Sequence, residues 1–269
     1  MFANYKVFDS HCHIYPEKIS RRAVDGIDAF YGVIAHGKGT VNDLIERGVS
    51  AGVDRFLVHS VATNEHQVRV INEFIAAEVA GHPDRLTGFG TLYPKSENVE
   101  ADYEHLRSLG LSGIKLHPDF QRCSVDSPQC RKIYEICARD GFPVLVHFGD
   151  IRQDYSNPER AEKVLKDYPS LKIIGAHLGG WSVWKEAADR LSEYENLYVD
   201  CCSSTAYLSD SEFCRCVEKF GTKRVLFGTD YPMWSAKTEI KSIMRMGFSE
   251  DELHNIFYNN ICRFLEIEC

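Results

Sequence analysis

Short apolar runs rich in β-branched and aromatic residues recur along the chain, separated by stretches with helical spacing. The runs are KVFDSHCH (6–13), DRFLVHSV (54–61), LTGFGTLY (86–93), SGIKLH (112–117), FPVLVHF (142–148), LKIIGAH (171–177), NLYVDCC (196–202) and KRVLFGTD (223–230). All eight read as strands, and each is followed by enough chain for a crossover helix. Strands alternating with helices indicate parallel βαβ units. Eight of them predict an α/β fold, a closed (β/α)8 TIM barrel forming a single domain over 1–269. A doubly wound sheet usually has five or six strands.

The helical stretches carry ordinary start and stop signals. Asn157 stands before Pro158, a cap followed by a first-turn proline, and Ala161, Val164, Leu165 and Tyr168 make one apolar stripe. Ser209 with Glu212, and Ser249 with Glu252, have the spacing of capping boxes. Phe213, Cys216, Val217 and Phe220 repeat the stripe, and Gly221 sits where a helix-ending glycine belongs. The longest region between strands, 14–53, is expected to hold a helix near 39–51 and an extra loop over about 16–38. That loop follows strand 1, on the face where barrel active sites sit, so it is a candidate active-site loop.

With 44% hydrophobic and 26% charged residues, the 269-residue chain can bury a large core and is not disordered. A net charge of -8 without a basic cluster argues against nucleic acid as a partner. No stretch approaches the ~18 apolar residues of a membrane span, and MFANYKVFDSHCH lacks the apolar core of a signal peptide. The expectation is a soluble cytoplasmic protein with a small-molecule substrate. The ten cysteines contain no CxxC and read as reduced, buried thiols.

Six of the eleven histidines end predicted strands: His11, His13, His59, His117, His147 and His177. Asp230 ends strand 8 in the same way. All eight strand ends of a barrel converge on one mouth, so these residues become neighbours. His11 and His13 are two apart and share a face. With His147 as a third nitrogen and Asp230 as a carboxylate they form a candidate ligand set for Zn²⁺, with Mn²⁺, Fe²⁺ or Co²⁺ also suited. His177, in GAHLGG, is a candidate to polarise a substrate carbonyl or shuttle a proton, because imidazole titrates near ~6.5.

Lys115 and His117 share one face of strand 4. Lys115 reads either as a charged group pairing with Asp230, His117 or a substrate carboxylate, or as a structural ion pair inside the barrel. His117 reads as pocket-lining. Arg152, just past strand 5, is the loop candidate for binding a substrate carboxylate through its bidentate fork. His59 reads as a satisfied core histidine, Asp9 as a hydrogen-bonding support for a neighbour, and Cys12 as inert and outward-facing. Trp181, Trp184 and Trp234 form either a pocket wall or helix packing.

The segments FDSHCHIYP, GIKLHPDF, PVLVHFGD, IIGAHLGG, LFGTDYP and the closing NNICRFLEI resemble the amidohydrolase superfamily, in particular the amidohydrolase-2 group that includes aminocarboxymuconate-semialdehyde decarboxylase. The resemblance covers essentially the whole chain. It implies His11, His13, His147 and Asp230 as ligands of one divalent metal, and His177 as an acid/base or substrate ligand. Some branches of the superfamily carbamylate a strand-4 lysine that bridges two metals, whereas the group with GIKLHP is mononuclear. The resemblance further implies a hydrolase acting on a small carboxylated ester, lactone or amide. The alternative is a non-oxidative decarboxylase of a small unsaturated or aromatic acid at the same site. A homodimer is a further expectation. The HCH motif also occurs in metal-dependent barrel nucleases, but those carry a strand-4 glutamate where this chain has GIKLHP.

Overall fold

The structure, a computed structural model, describes residues 5–268. Its strands are β1 (Phe8–His13), β2 (Arg55–His59), β3 (Leu86–Gly88), β4 (Gly90–Thr91), β5 (Ile114–Leu116), β6 (Val144–Val146), β7 (Ile173–Gly175), β8 (Leu197–Asp200) and β9 (Val225–Leu226). Every pairing is parallel, in the orders β1-β2-β3 and β4 through β9. β3 and β4 are two halves of the third barrel strand, interrupted at Phe89. The Phe89 amide still donates to Val58 O while that of Gly90 donates to Gly113 O, so the wall is continuous there. Closure comes from Ser10 N to Phe227 O at 2.9 Å and a parallel bridge between Cys12 and Tyr231. The expected eight-strand TIM barrel is thus observed, with one strand broken.

The break has a packing cause. Phe89 turns into the barrel and joins Phe8, Leu57, Leu145, Ile174 and Leu226 in a fully buried interior layer. A Cβ on Gly113 would lie 2.4 Å from the Phe89 ring, so only glycine leaves room for it. Tyr258, Ile261 and Phe264 from the C-terminal helical segment close the barrel floor beneath this layer. A larger apolar cluster fills the space between strands and helices, and Cys12 lies there, facing outward as expected.

β1 carries a β-bulge. Asp9 pairs with Phe56 and Cys12 with Val58, so Ser10 and His11 together oppose Leu57. Such a bulge re-aims side chains. It puts Phe8 and His11 on the same inward side although their spacing is odd, and His13 follows His11 inward.

Both capping boxes form, at Ser209 with Glu212 and at Ser249 with Glu252. Gly221 ends its helix at φ +78°. The helix Pro158–Asp167 starts where expected, but the Asn157 side chain does not cap it. Its amide bonds instead to Gln153 O and Asp154, and Tyr168 lies just past the helix end. The segment expected as a loop over 16–38 is mostly helix α1 (Glu17–Tyr31), and α2 (Val41–Ala51) follows as predicted. Val24, Ile27 and Tyr31 recur at i, i+3 and i+7, so this helix has an amphipathic signal in the sequence that a loop assignment misses. Among the described residues, no helix is long and apolar enough to cross a membrane.

Candidate metal centre

Above the apolar interior layer, the strand ends deliver polar side chains into one buried space. His11 Nε2 and His13 Nε2 are 3.3 Å apart, and Asp230 Oδ1 lies 3.4 and 3.5 Å from them. Donors bound to zinc at ~2.0–2.1 Å in tetrahedral array are separated by about 3.3–3.4 Å. The three edges of this triangle therefore fit a divalent ion.

The protonation states fit as well. Burial, reinforced by Lys115, pushes His11 down to about 4 despite Asp200 and Asp230, and burial lowers His13 too. Both shifts favour the neutral imidazole that a metal ligand must be. His11 Nδ1 lies 2.8 Å from Asp200 Oδ2. Burial raises Asp200, but the neighbouring His11 outweighs it and holds the carboxyl at about 2. An ionised Asp200 accepts the Nδ1 proton of His11 and leaves its Nε2 lone pair facing the triangle. For Asp230, burial is overcome by His11 and His13, which keep it well below the carboxylate range. Its other oxygen accepts from the Ser203 hydroxyl at 2.8 Å.

A second cluster adjoins the first. His177 Nε2 is 2.9 Å from His147 Nδ1, and the His147 ring stacks on His117 at 4.0 Å. His147 Nε2 points toward Asp119, 3.7 Å away, and has no hydrogen-bond partner. Burial, with Asp150 adding to it, raises Asp119 to about 7. His117 Nε2 is 3.1 Å from the hydroxyl of Tyr31, the last residue of α1. Backbone strain concentrates here. His177, Leu178 and Asp230 have φ of +59°, +50° and +55°. Asp200 over-determines the His177 turn by accepting its amide at 2.9 Å.

The family model Amidohydro_2, amidohydrolase, matches residues 8–267. The chain belongs to the amidohydrolase family. Solved structures share the fold of this amidohydrolase at low identity. A TIM-barrel protein from Bordetella bronchiseptica has a TM-score of 0.82 at 22% identity, covering 97% of this chain and 98% of that one. A dihydroxybenzoic acid decarboxylase from Polaromonas, with bound manganese and the inhibitor 2-nitroresorcinol, has a TM-score of 0.75 at 15% identity, covering 97% of each chain. A Pseudomonas putida protein assigned as a 2-pyrone-4,6-dicarboxylic acid hydrolase has a TM-score of 0.70 at 15% identity, covering 99% of each chain.

Within the amidohydrolase barrel, the expected site residues divide. His11, His13 and Asp230 converge. His147 contacts His177, His117 and Asp119 rather than that triangle. The fully buried Lys115 places Nζ 3.1 Å from His11 Nε2. Burial lowers it to about 8, with Asp200 and Asp230 opposing. Arg152 is not a free rim cation: it chelates Asp150, donates to Phe30 O and lies over the rings of Phe30, Tyr31 and Trp181. His59 is not a satisfied core histidine. Both its ring nitrogens lack partners among the described residues, and its ring sits edge-on to His11 and His13. Asp9 accepts from the amides of His11 and Thr229 and the Thr229 hydroxyl, tying β1 to the segment after β9.

Asp200, Asp119 and Tyr31 escaped sequence reasoning. Asp200 had a usable signal, since it ends its strand as Asp230 follows its own. Tyr31 had none, because it arrives on a helix. Trp181 and Trp234 line the mouth with Tyr31, His177, Ser203 and Asp230, whereas Trp184 packs against the apolar layer outside the barrel. The cavity between them is small, about 20 Å³, room for roughly one water.

Proposed function

We propose that this amidohydrolase is a metal-dependent hydrolase of a small carboxylated ester, lactone or amide. The reading rests on the Asp230 carboxylate, which faces the ring nitrogens of His11 and His13 at 3.4 and 3.5 Å while Ser203 anchors its second oxygen. His11, His13 and Asp230 would hold the ion, and His147, whose Nδ1 lies 2.9 Å from His177 Nε2, is the proposed fourth donor. Zinc is the first choice, and manganese, iron(II) or cobalt suit the same donors. When bound, the metal supplies Lewis-acid polarisation and a lowered pKa for water.

The chain's own groups do the rest. Asp230, ionised at neutral pH, accepts the proton released by water. His177 donates to the oxygen that gains charge. Lys115 and His117 orient the substrate, the lysine ammonium facing its carboxylate, whereas the Arg152 guanidinium is taken up by Asp150 and Phe30 O and shapes the mouth instead. A small molecule in a cytoplasmic homodimer completes the proposal. Neither nucleic acid nor membrane enters it.

Decarboxylation of a small unsaturated or aromatic acid is the second reading. It is favoured by the buried Lys115 ammonium, a ready counter-ion for a carboxylate, and by the activity of the Polaromonas neighbour.

One experiment separates the two. The metal-loaded protein is incubated in ¹⁸O-water with a panel of carboxylated lactones, esters, amides and hydroxybenzoates. One ¹⁸O atom in the product supports hydrolysis, whereas CO₂ release from an acid without ¹⁸O in the organic product overturns it in favour of decarboxylation.

A further inference from the structure

Two thiols outside the metal centre face each other across an irregular segment. Cys123 follows the short helix Pro118–Gln121, and Cys130 lies in the first turn of the helix Pro128–Asp140. Cys130 Sγ donates toward Cys123 Sγ at 3.8 Å, and Ser127 Oγ is 3.2 Å from Cys123 Sγ. Lys95, whose ammonium bonds to Arg122 O at 2.8 Å, brings positive charge beside them. We propose that Cys123 and Cys130 are a peroxide-responsive pair that closes reversibly into a disulfide.

The electrons and atoms balance with hydrogen peroxide as oxidant. The Cys123 thiolate attacks one peroxide oxygen and the O–O bond breaks, giving a sulfenic acid and hydroxide. Cys130 sulfur then attacks the Cys123 sulfur, the S–O bond breaks, and the departing hydroxide takes up the Cys130 proton as water. Two thiols lose two electrons and two protons in all, and the peroxide becomes two waters.

The division of labour is built into the contact. The S–H of Cys130 holds Cys123 down at about 6, and the same bond, with burial, pushes Cys130 up. A thiolate beside a protonated partner is an attacking and resolving pair. Cys123 is itself buried, at 4% exposure, but the Cys130 contact outweighs that burial, whereas in Cys12, Cys137, Cys201 and Cys202 burial prevails and pushes the thiols up.

Bond formation brings the sulfurs to ~2.05 Å. The Cys123 amide bonds to Pro118 O, so the pull reaches the helix carrying Asp119.

The test uses the full chain treated with equimolar hydrogen peroxide, alkylated with iodoacetamide and digested with trypsin. Both cysteines fall in one peptide, CSVDSPQCR, between Arg122 and Lys132. The expected result is that this peptide loses two hydrogens and resists alkylation, that two fewer thiols react with Ellman's reagent, and that dithiothreitol restores both. Cys130→Ser should accumulate a dimedone-reactive Cys123. If the peptide stays doubly alkylated while other cysteines oxidise, or if Cys123 joins a different cysteine, the proposal is overturned. The wild-type peptide decides this even where a variant folds poorly.

Discussion

Replacing Asp200 by asparagine is the sharpest probe of the metal centre. The wild-type carboxylate is fully buried and accepts three bonds: His11 Nδ1 at 2.8 Å on one oxygen, and the amides of His177 and Cys202 at 2.9 and 3.3 Å on the other. Asparagine has the same shape but only one acceptor oxygen. If its NH₂ faces His11, the imidazole must accept at Nδ1 and carry its proton on Nε2, which removes a ligand. If its NH₂ faces His177, a buried amide in a left-handed turn loses its acceptor, at a cost of about 1–3 kcal/mol. In the first case the metal affinity carries the loss, and in the second the stability does. The loss of a supporting partner behind a ligand typically weakens metal binding by about 10–100-fold. Chelator competition on purified Asp200→Asn protein measures the affinity, and urea unfolding measures the stability. A dissociation constant within about twofold of wild type, together with stability within ~0.5 kcal/mol, would refute the role assigned to Asp200.

Other perturbations test separate links. His147→Ala should lower bound metal by about tenfold or more, read by elemental analysis; full occupancy would leave His11, His13 and Asp230 as the whole protein donor set. His177→Asn should keep its metal and lose about 10²–10⁴-fold in turnover, and unchanged kinetics would remove it from the reaction. Glu239 is 2% exposed, and burial, opposed by Thr205, raises it from 4.5 to about 7. Its folded-state pKa is above the unfolded one, so the stability it contributes is present below ~4.5 and lost as pH rises through about 7. Glu239→Gln should therefore raise the melting temperature at pH 8, by an effect of order 3 kcal/mol, and leave it unchanged near pH 4; equal shifts at both pH values would contradict this. Gly113→Ala, whose new Cβ would meet the Phe89 ring at 2.4 Å, should lose about 1–3 kcal/mol in urea unfolding, and a neutral result would mean that Phe89 can move aside.

Much of this molecule is written in local periodicity. Short apolar runs and helical stripes with real capping boxes specify eight strand–helix units, and parallel units of that number close into a barrel. Once the barrel is known, strand-terminal His11, His13 and Asp230 must meet, because all eight ends share one mouth. Their convergence was legible for that reason. What local pattern cannot carry is the placement of side chains by partners distant in sequence. The bulge at Ser10 and His11 depends on pairing with β2. The turn of His147 toward His177 depends on the left-handed backbone at 177–178. Asp200 takes His11 from a strand 189 positions away, and Tyr31 reaches His117 from a helix 86 positions away. Such contacts are settled by three-dimensional packing and by the demand of buried polar groups for partners. Local pattern alone specifies the barrel and brings His11, His13 and Asp230 to its mouth. The tertiary structure decided which nitrogen faces which oxygen, because hydrogen-bond geometry in a buried site is fixed only when every wall of it is in place.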